Sequence, residues 1–105
     1  MIQGDICWHK FKEPDKRRPV LVLTNNDLIQ KLTQITIAQV TTTIRGNKTE
    51  VLLDETNGML EDCAINLTNL QTVQKNKIGS YITHLSPLKM VEVFEAIKFV
   101  FDFNR

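Results

Sequence analysis

The sequence predicts an α+β fold: a small, strongly curled antiparallel sheet or barrel with one amphipathic helix near its C-terminal end. Three observations predict it. Short β-branched apolar runs recur, chiefly at residues 19–24 (PVLVLT), 35–42 (ITIAQVTT) and 63–67 (CAINL). Brief turn signals separate most of the runs, so sequential strands are expected to pair antiparallel. After Ser86 the spacing of apolar residues changes from strand-like to helical.

The elements follow in order. Gly4-Asp5 opens a strand over residues 6–10. Residues 12–17 are polar and contain Pro14, so they read as a loop. Residues 19–24 form a continuous apolar run, the mark of a strand buried on both faces. Pro19 fits its first position, where no ladder donor is needed. Asn25-Asn26-Asp27 is a turn or cap, and residues 28–33 a short helical or irregular connection. Residues 35–42 are the next strand, and Arg45-Gly46-Asn47-Lys48 a tight turn with Gly46 and Asn47 suited to positive φ. Residues 50–54 read as the returning strand of that hairpin. Residues 63–67 and 70–73 read as strand broken by a kink, and residues 78–85 as a short mixed segment. Ser86 is a good N-cap and Pro87 suits the first helical position. Leu88, Val91, Phe94, Ile97 and Phe101 then recur at steps of three and four, giving one apolar stripe. Met90, Val93 and Val100 widen it, and the extra width suits a subunit contact.

A length of 105 residues favours one domain, 1–105. With 42% hydrophobic and 24% charged residues, nothing indicates disorder. No apolar run approaches the ~18–20 residues of a membrane span. MIQGDICW lacks the pattern of a secretory signal, so a cytoplasmic location is expected. Cys7 and Cys63 then read as two buried thiols, with a disulfide as the alternative. His9 and His84 add no CxxC or HxxxH clip, so no zinc site is expected. No P-loop, GxGxxG, GxSxG or HExxH is present, and no cofactor is expected.

The formal net charge of +1 is too small to advertise a nucleic-acid partner. The distribution is more informative. Residues 10–18 carry Lys10, Lys12, Lys16, Arg17 and Arg18 against Glu13 and Asp15, and Arg45 with Lys48 makes a second basic turn. On charge alone these are solvated loops. An RNA-cleaving site needs a phosphate anchor, alignment of the 2′-hydroxyl, and stabilisation of the charge that develops at phosphorus. Arg18 suits the anchor. Its planar fork binds two phosphate oxygens, and Pro19 biases its backbone towards extended geometry. Thr41 and Thr42 end a strand on opposite faces, where a hydroxyl can donate to phosphate, although threonines favour strands anyway. Trp8 and Phe11 beside the basic loop can stack on bases or serve as core.

At this point the residues resemble a known family. Gly4-Asp5-Ile6 and Arg17 through Asn25 (RRPVLVLTN) look like the GDI…RRPxLVLSN opening of the MazF/PemK toxins. Residues 35–42, Thr49-Glu50-Val51, residues 63–67 with 70–73, and Ile82-Thr83-His84-Leu85 resemble further family segments in the same order. The resemblance implies an SH3-like antiparallel β-barrel with a C-terminal amphipathic helix. It implies a homodimeric toxin of a type II toxin–antitoxin system that binds single-stranded mRNA along its subunit interface. It also implies a cognate antitoxin with a disordered acidic tail. The implied activity is metal-independent endoribonuclease cleavage: the 2′-hydroxyl attacks, leaving a 2′,3′-cyclic phosphate and a 5′-hydroxyl. Position then makes Arg18 and Thr41 catalytic. Arg18 would stabilise the charge at phosphorus and protonate the leaving oxygen, and Thr41 would orient the phosphate. Trp8, Phe11, Lys12, Lys16, Arg17, Thr42, Arg45 and Gln71 are the expected RNA-binding residues.

Two departures are visible. The loop at residues 11–16 lacks the family's glycine-rich stretch, and Gln71 stands where the family often has arginine. The competing expectation is a non-catalytic binding module on the same fold, like the gyrase inhibitor CcdB or an RNA or protein binder, because fold alone does not fix function.

Overall fold

The computed structural model describes residues 1–12 and 17–102. In chain order the elements are β1 (Asp5–Lys10), β2 (Arg17–Val22), α1 (Asn26–Lys31), β3 (Gln34–Thr41), β4 (Glu50–Leu53), β5 (Cys63–Gln74), β6 (Ile78–His84) and α2 (Pro87–Phe101). The six strands form one antiparallel sheet in the order β4-β5-β3-β2-β1-β6. The α+β class and the antiparallel pairing are as the sequence predicts.

The expected barrel is instead a strongly coiled sheet with two edges, β4 and β6, which do not pair. The edges still meet through a side chain: Thr83 Oγ1 on β6 donates to the Asn57 carbonyl, in the 3-10 turn after β4, at 2.9 Å. The curl arises partly in β5. Ala38 pairs with Leu70 but Gln39 pairs with Asn66, so residues 67–69 bulge out of the β3–β5 ladder. A bulge of this kind bends its strand and increases the local twist. This is the kink seen in the sequence.

β5 also overturns the expected β3–β4 hairpin. Its residues 63–66 pair with β4 on one side while Ala64, Ile65 and Asn66 pair with β3 on the other. The turn signal itself is real. Gly46 has φ +74, and the Glu50 carboxylate accepts the Gly46 N–H at 2.8 Å. A turn signal does not say which strand its exit will join. Asn47 does not share the left-handed backbone; among the described non-glycine residues only Asp102 does.

From Val20 to Val22 β2 is buried on both faces, as the apolar run predicts, while Arg17 and Arg18 at its start are exposed. Leu21 belongs to a core with Ile6, Ala38, Val51, Ile65 and Val93, whereas Val20 and Val22 join Ile29, Ile35 and Ile37 on the other side. Asn25 caps α1, accepting from the Leu28 N–H at 3.0 Å, and Ile29 seals the second cluster.

Ser86 caps α2 as expected, accepting from the Lys89 N–H at 3.2 Å. The buried stripe of α2 differs from the expected one. Val93 and Ala96 are buried, with Met90, Ile97 and Val100 packed beside them, while Leu88, Val91, Phe94 and Phe101 are exposed. The helix carries apolar residues around much of its circumference, and its packing against the sheet, chiefly β4 and β5, chooses the side that is buried. No described helix is long and apolar enough to cross a membrane.

Candidate active site

Strand register organises the candidate residues. β1 and β2 pair His9 with Arg18, Trp8 with Pro19 and Lys10 with Arg17. Paired residues in an antiparallel ladder share a face, and neighbours along a strand alternate. Arg18 therefore shares its face with His9, Val20 and Val22. Arg17 falls on the opposite face, with Trp8 and Pro19. There its guanidinium carbon lies 4.6 Å from the centroid of the Trp8 ring, a cation–π contact.

β2 and β3 pair Val20 with Gln39 and Val22 with Ile37. One same-face step beyond Val20–Gln39, the same register sets Arg18 opposite Thr41. Arg18 is exposed at the start of β2 and Thr41 is half-buried at the end of β3. The Thr41 hydroxyl accepts the Thr43 N–H at 3.1 Å. With a lone pair so engaged, its own proton is free to donate outward.

Gln71 pairs with Ile37, so it lies on the face of Arg18 and Thr41, farther along the sheet. Its amide donates to Asn69 Oδ1 at 3.4 Å. Thr42 and Thr41 both border a cavity of about 270 Å³, together with Trp8, Pro19, Glu61 and Ile82. Trp8 is thus half-buried at a cavity wall. Phe11 packs edge-on against the His9 ring, centroids 4.5 Å apart. Lys12 is exposed, and Lys16 lies outside the described residues. Arg45 sits in the β3–β4 connection, its N–H held by the Glu50 carboxylate at 3.1 Å. The fold thus gathers Arg18 and Thr41 on one face, with Gln71 farther along it. Trp8 and Thr42 border the cavity with Thr41, and Arg17 lies over the Trp8 ring. A larger groove of about 630 Å³ beside α1 is lined by none of the nine candidates among the described residues.

Two residues near the site were not singled out by sequence. His9 is only 7% exposed, and its Nδ1 is sealed without a partner. Burial pushes its pKa below the usual imidazole value, and Lys77 pushes it further down. The available signal was alternation, which places His9 with Cys7 opposite Trp8. Glu61, on the cavity wall, had no periodic signal at all. Among the described residues no three His, Cys, Asp or Glu side chains gather to hold a metal. Both cysteines are free and buried.

Residues 2–101 match the family model of the PemK-like, MazF-like toxin of type II toxin–antitoxin systems. The chain belongs to this family. A relative from Mycobacterium tuberculosis (strain CDC 1551 / Oshkosh), the endoribonuclease MazF3, is 38% identical over 90 residues, covering 86% of this chain and 87% of its own. The Mycobacterium tuberculosis toxin MazF-mt6 superposes with a TM-score of 0.87 at 35% identity, covering 96% of this chain and 99% of its own. An endoribonuclease from a mycobacterial species, solved with its cognate antitoxin, shares the fold at a TM-score of 0.88 and 19% identity, over 100% of this chain and 98% of its own. The coiled sheet with its terminal helix is therefore the MazF fold, and the MazF-like chain presents Arg18 and Thr41 at the rim of that sheet.

Proposed function

We propose that this MazF-like protein is the toxin of a type II toxin–antitoxin system and an endoribonuclease that cuts single-stranded mRNA at Arg18 and Thr41. The register that sets these two residues on one face, at an open end of β2 and β3, carries the reading. The 2′-oxygen attacks phosphorus, the bond to the 5′-oxygen breaks, and the products carry a 2′,3′-cyclic phosphate and a 5′-hydroxyl. The 2′-hydroxyl proton leaves to solvent, and Arg18 gives a proton to the departing 5′-oxygen and regains one from solvent. Arg18 enters the step charged and offers a two-pronged donor to the phosphorane-like state. Thr41 donates to a phosphate oxygen. These groups supply charge stabilisation without a metal.

Trp8, Arg17 and Thr42, at or beside the 270 Å³ cavity, bind flanking nucleotides. Phe11, Lys12, Lys16, Arg45 and Gln71 extend the RNA contact. The single toxin domain works in the cytoplasm as a homodimer. Leu88, 80% exposed, and Val91 on α2 support a subunit contact, since an apolar face of this kind gains from being covered. The partner that silences it is a cognate antitoxin whose acidic segment competes with RNA for the basic residues around Arg17 and Arg18.

The test incubates purified protein with a long single-stranded RNA in EDTA, comparing wild type with Arg18→Ala and mapping fragment ends. The expected result is discrete fragments with 5′-hydroxyl ends, absent in the variant. A folded wild type that cuts nothing would replace the nuclease with a binding module.

A further inference from the structure

Arg18 and Thr41 leave one position on their face of the sheet chemically unexplained. His9 is the cross-strand partner of Arg18, so the two side chains leave the same face of adjacent strands. Directly opposed pairs place their Cβ atoms about 4.5–5.5 Å apart. On its other side His9 pairs with Ile78, and the Phe11 ring meets the imidazole edge-on at 63°. The ring is therefore fixed in place, yet it makes no hydrogen bond. Its Nδ1 is sealed from solvent and from every protein acceptor. Nε2 is the ring nitrogen that keeps access to solvent.

A buried polar atom without a partner costs about 1–3 kcal/mol, so natural proteins rarely keep one without reason. An apolar side chain would fill the space between Phe11 and Ile78 without that cost. The sealed nitrogen also settles the tautomer. A proton on Nδ1 would be a buried donor with nothing to receive it, so the neutral ring carries its proton on Nε2. Burial and Lys77 both hold the ring in its neutral form. The result is a rigid, uncharged N–H donor at the edge of the face that presents Arg18.

We infer that His9 is a third catalytic residue, donating from Nε2–H to a non-bridging oxygen of the scissile phosphate beside Arg18. The inference rests on the proposed role of Arg18. It assigns His9 no proton transfer. A ring that accepted the 2′-hydroxyl proton at Nε2 would need a second proton on the sealed Nδ1, which nothing can stabilise. His9 instead adds a preorganised neutral donor to the charge of Arg18, at a position where charge grows in the transition state.

The experiment measures single-turnover cleavage of one RNA by wild type, His9→Phe, His9→Leu, His9→Gln and Arg18→Ala, with thermal melts of each. Gln places an amide N–H near the position of Nε2, whereas Phe and Leu fill the space without a donor. The expected result is a maximal rate lowered roughly 10²-fold in the folded apolar variants, with Gln restoring most of it and half-saturation little changed. Their melting points should equal or exceed that of wild type, because the orphaned nitrogen is gone. An apolar variant that cuts at the wild-type rate would overturn the assignment. So would a Gln variant as slow as the apolar ones, which would indicate proton transfer. An Arg18→Ala variant that cuts normally would instead remove the Arg18 reading, and this inference with it.

Discussion

Arg17 covers the Trp8 ring at 4.6 Å from its centroid, while Arg18, one residue on, pairs with His9 on the opposite face of the sheet. The two adjacent arginines therefore have different work to do. In the proposed mechanism Arg17 holds the RNA chain and Arg18 acts on it.

Arg17→Ala should weaken RNA binding about uniformly across sequences and lower the log–log salt slope by about 1, the signature of one lost phosphate contact. The maximal cleavage rate should stay near wild type. Fluorescence anisotropy with an RNA blocked by 2′-deoxy substitution gives the slope. An unchanged slope would remove Arg17 from the phosphate contacts.

Thr41→Val keeps the shape and deletes the hydroxyl. Removal of one preorganised donor should lower the maximal rate roughly 10²–10³-fold. The fold should persist, because the Thr43 N–H that Thr41 accepts lies at an exposed position and can turn to water. Initial rates on a short RNA substrate measure the loss, and a rate equal to wild type would exclude the hydroxyl from the reaction.

Gly58 closes the 3-10 turn after β4 at φ +90, where a Cβ would collide with the Thr83 hydroxyl. That hydroxyl makes the bond to Asn57 that joins the two sheet edges. Gly58→Ala should therefore cost roughly 1–3 kcal/mol. Gly46, at φ +74 with open space around it, should cost less on the same change. Urea unfolding of both variants compares them, and equal midpoints would mean the Thr83 contact contributes nothing.

Cys63 should be inert. Burial, followed by Glu61, Asp62 and Asp54, pushes its thiol from 9.0 up to about 11, and burial with Asp5 raises Cys7 as well. The folded state favours the protonated thiol. That contribution to stability is complete below about pH 9 and falls as pH rises towards 11. Iodoacetamide at pH 8 should label neither cysteine until denaturant is added, as mass spectrometry would show. Rapid labelling of the native protein would contradict the burial of both thiols.

Residue order alone determined a good deal. The run from Pro19 to Leu23 had to be buried on both faces because it offers no polar side chain, and Ser86-Pro87 had to start a helix because one caps and the other needs no donor. The segments shared with the MazF/PemK toxins pointed to Arg18 and Thr41 by position. Local signals could carry no more, because they describe a residue's neighbours in the chain and not those across a ladder. Only tertiary structure seated β5 between β3 and β4, where the turn at Gly46 suggested a hairpin. Only packing against the sheet decided that α2 buries Val93 and Ala96, when its apolar residues would have allowed another side. And only strand register separated Arg17 from Arg18 and brought His9 beside the latter, since the face a side chain takes has meaning only once its partner strand is in place.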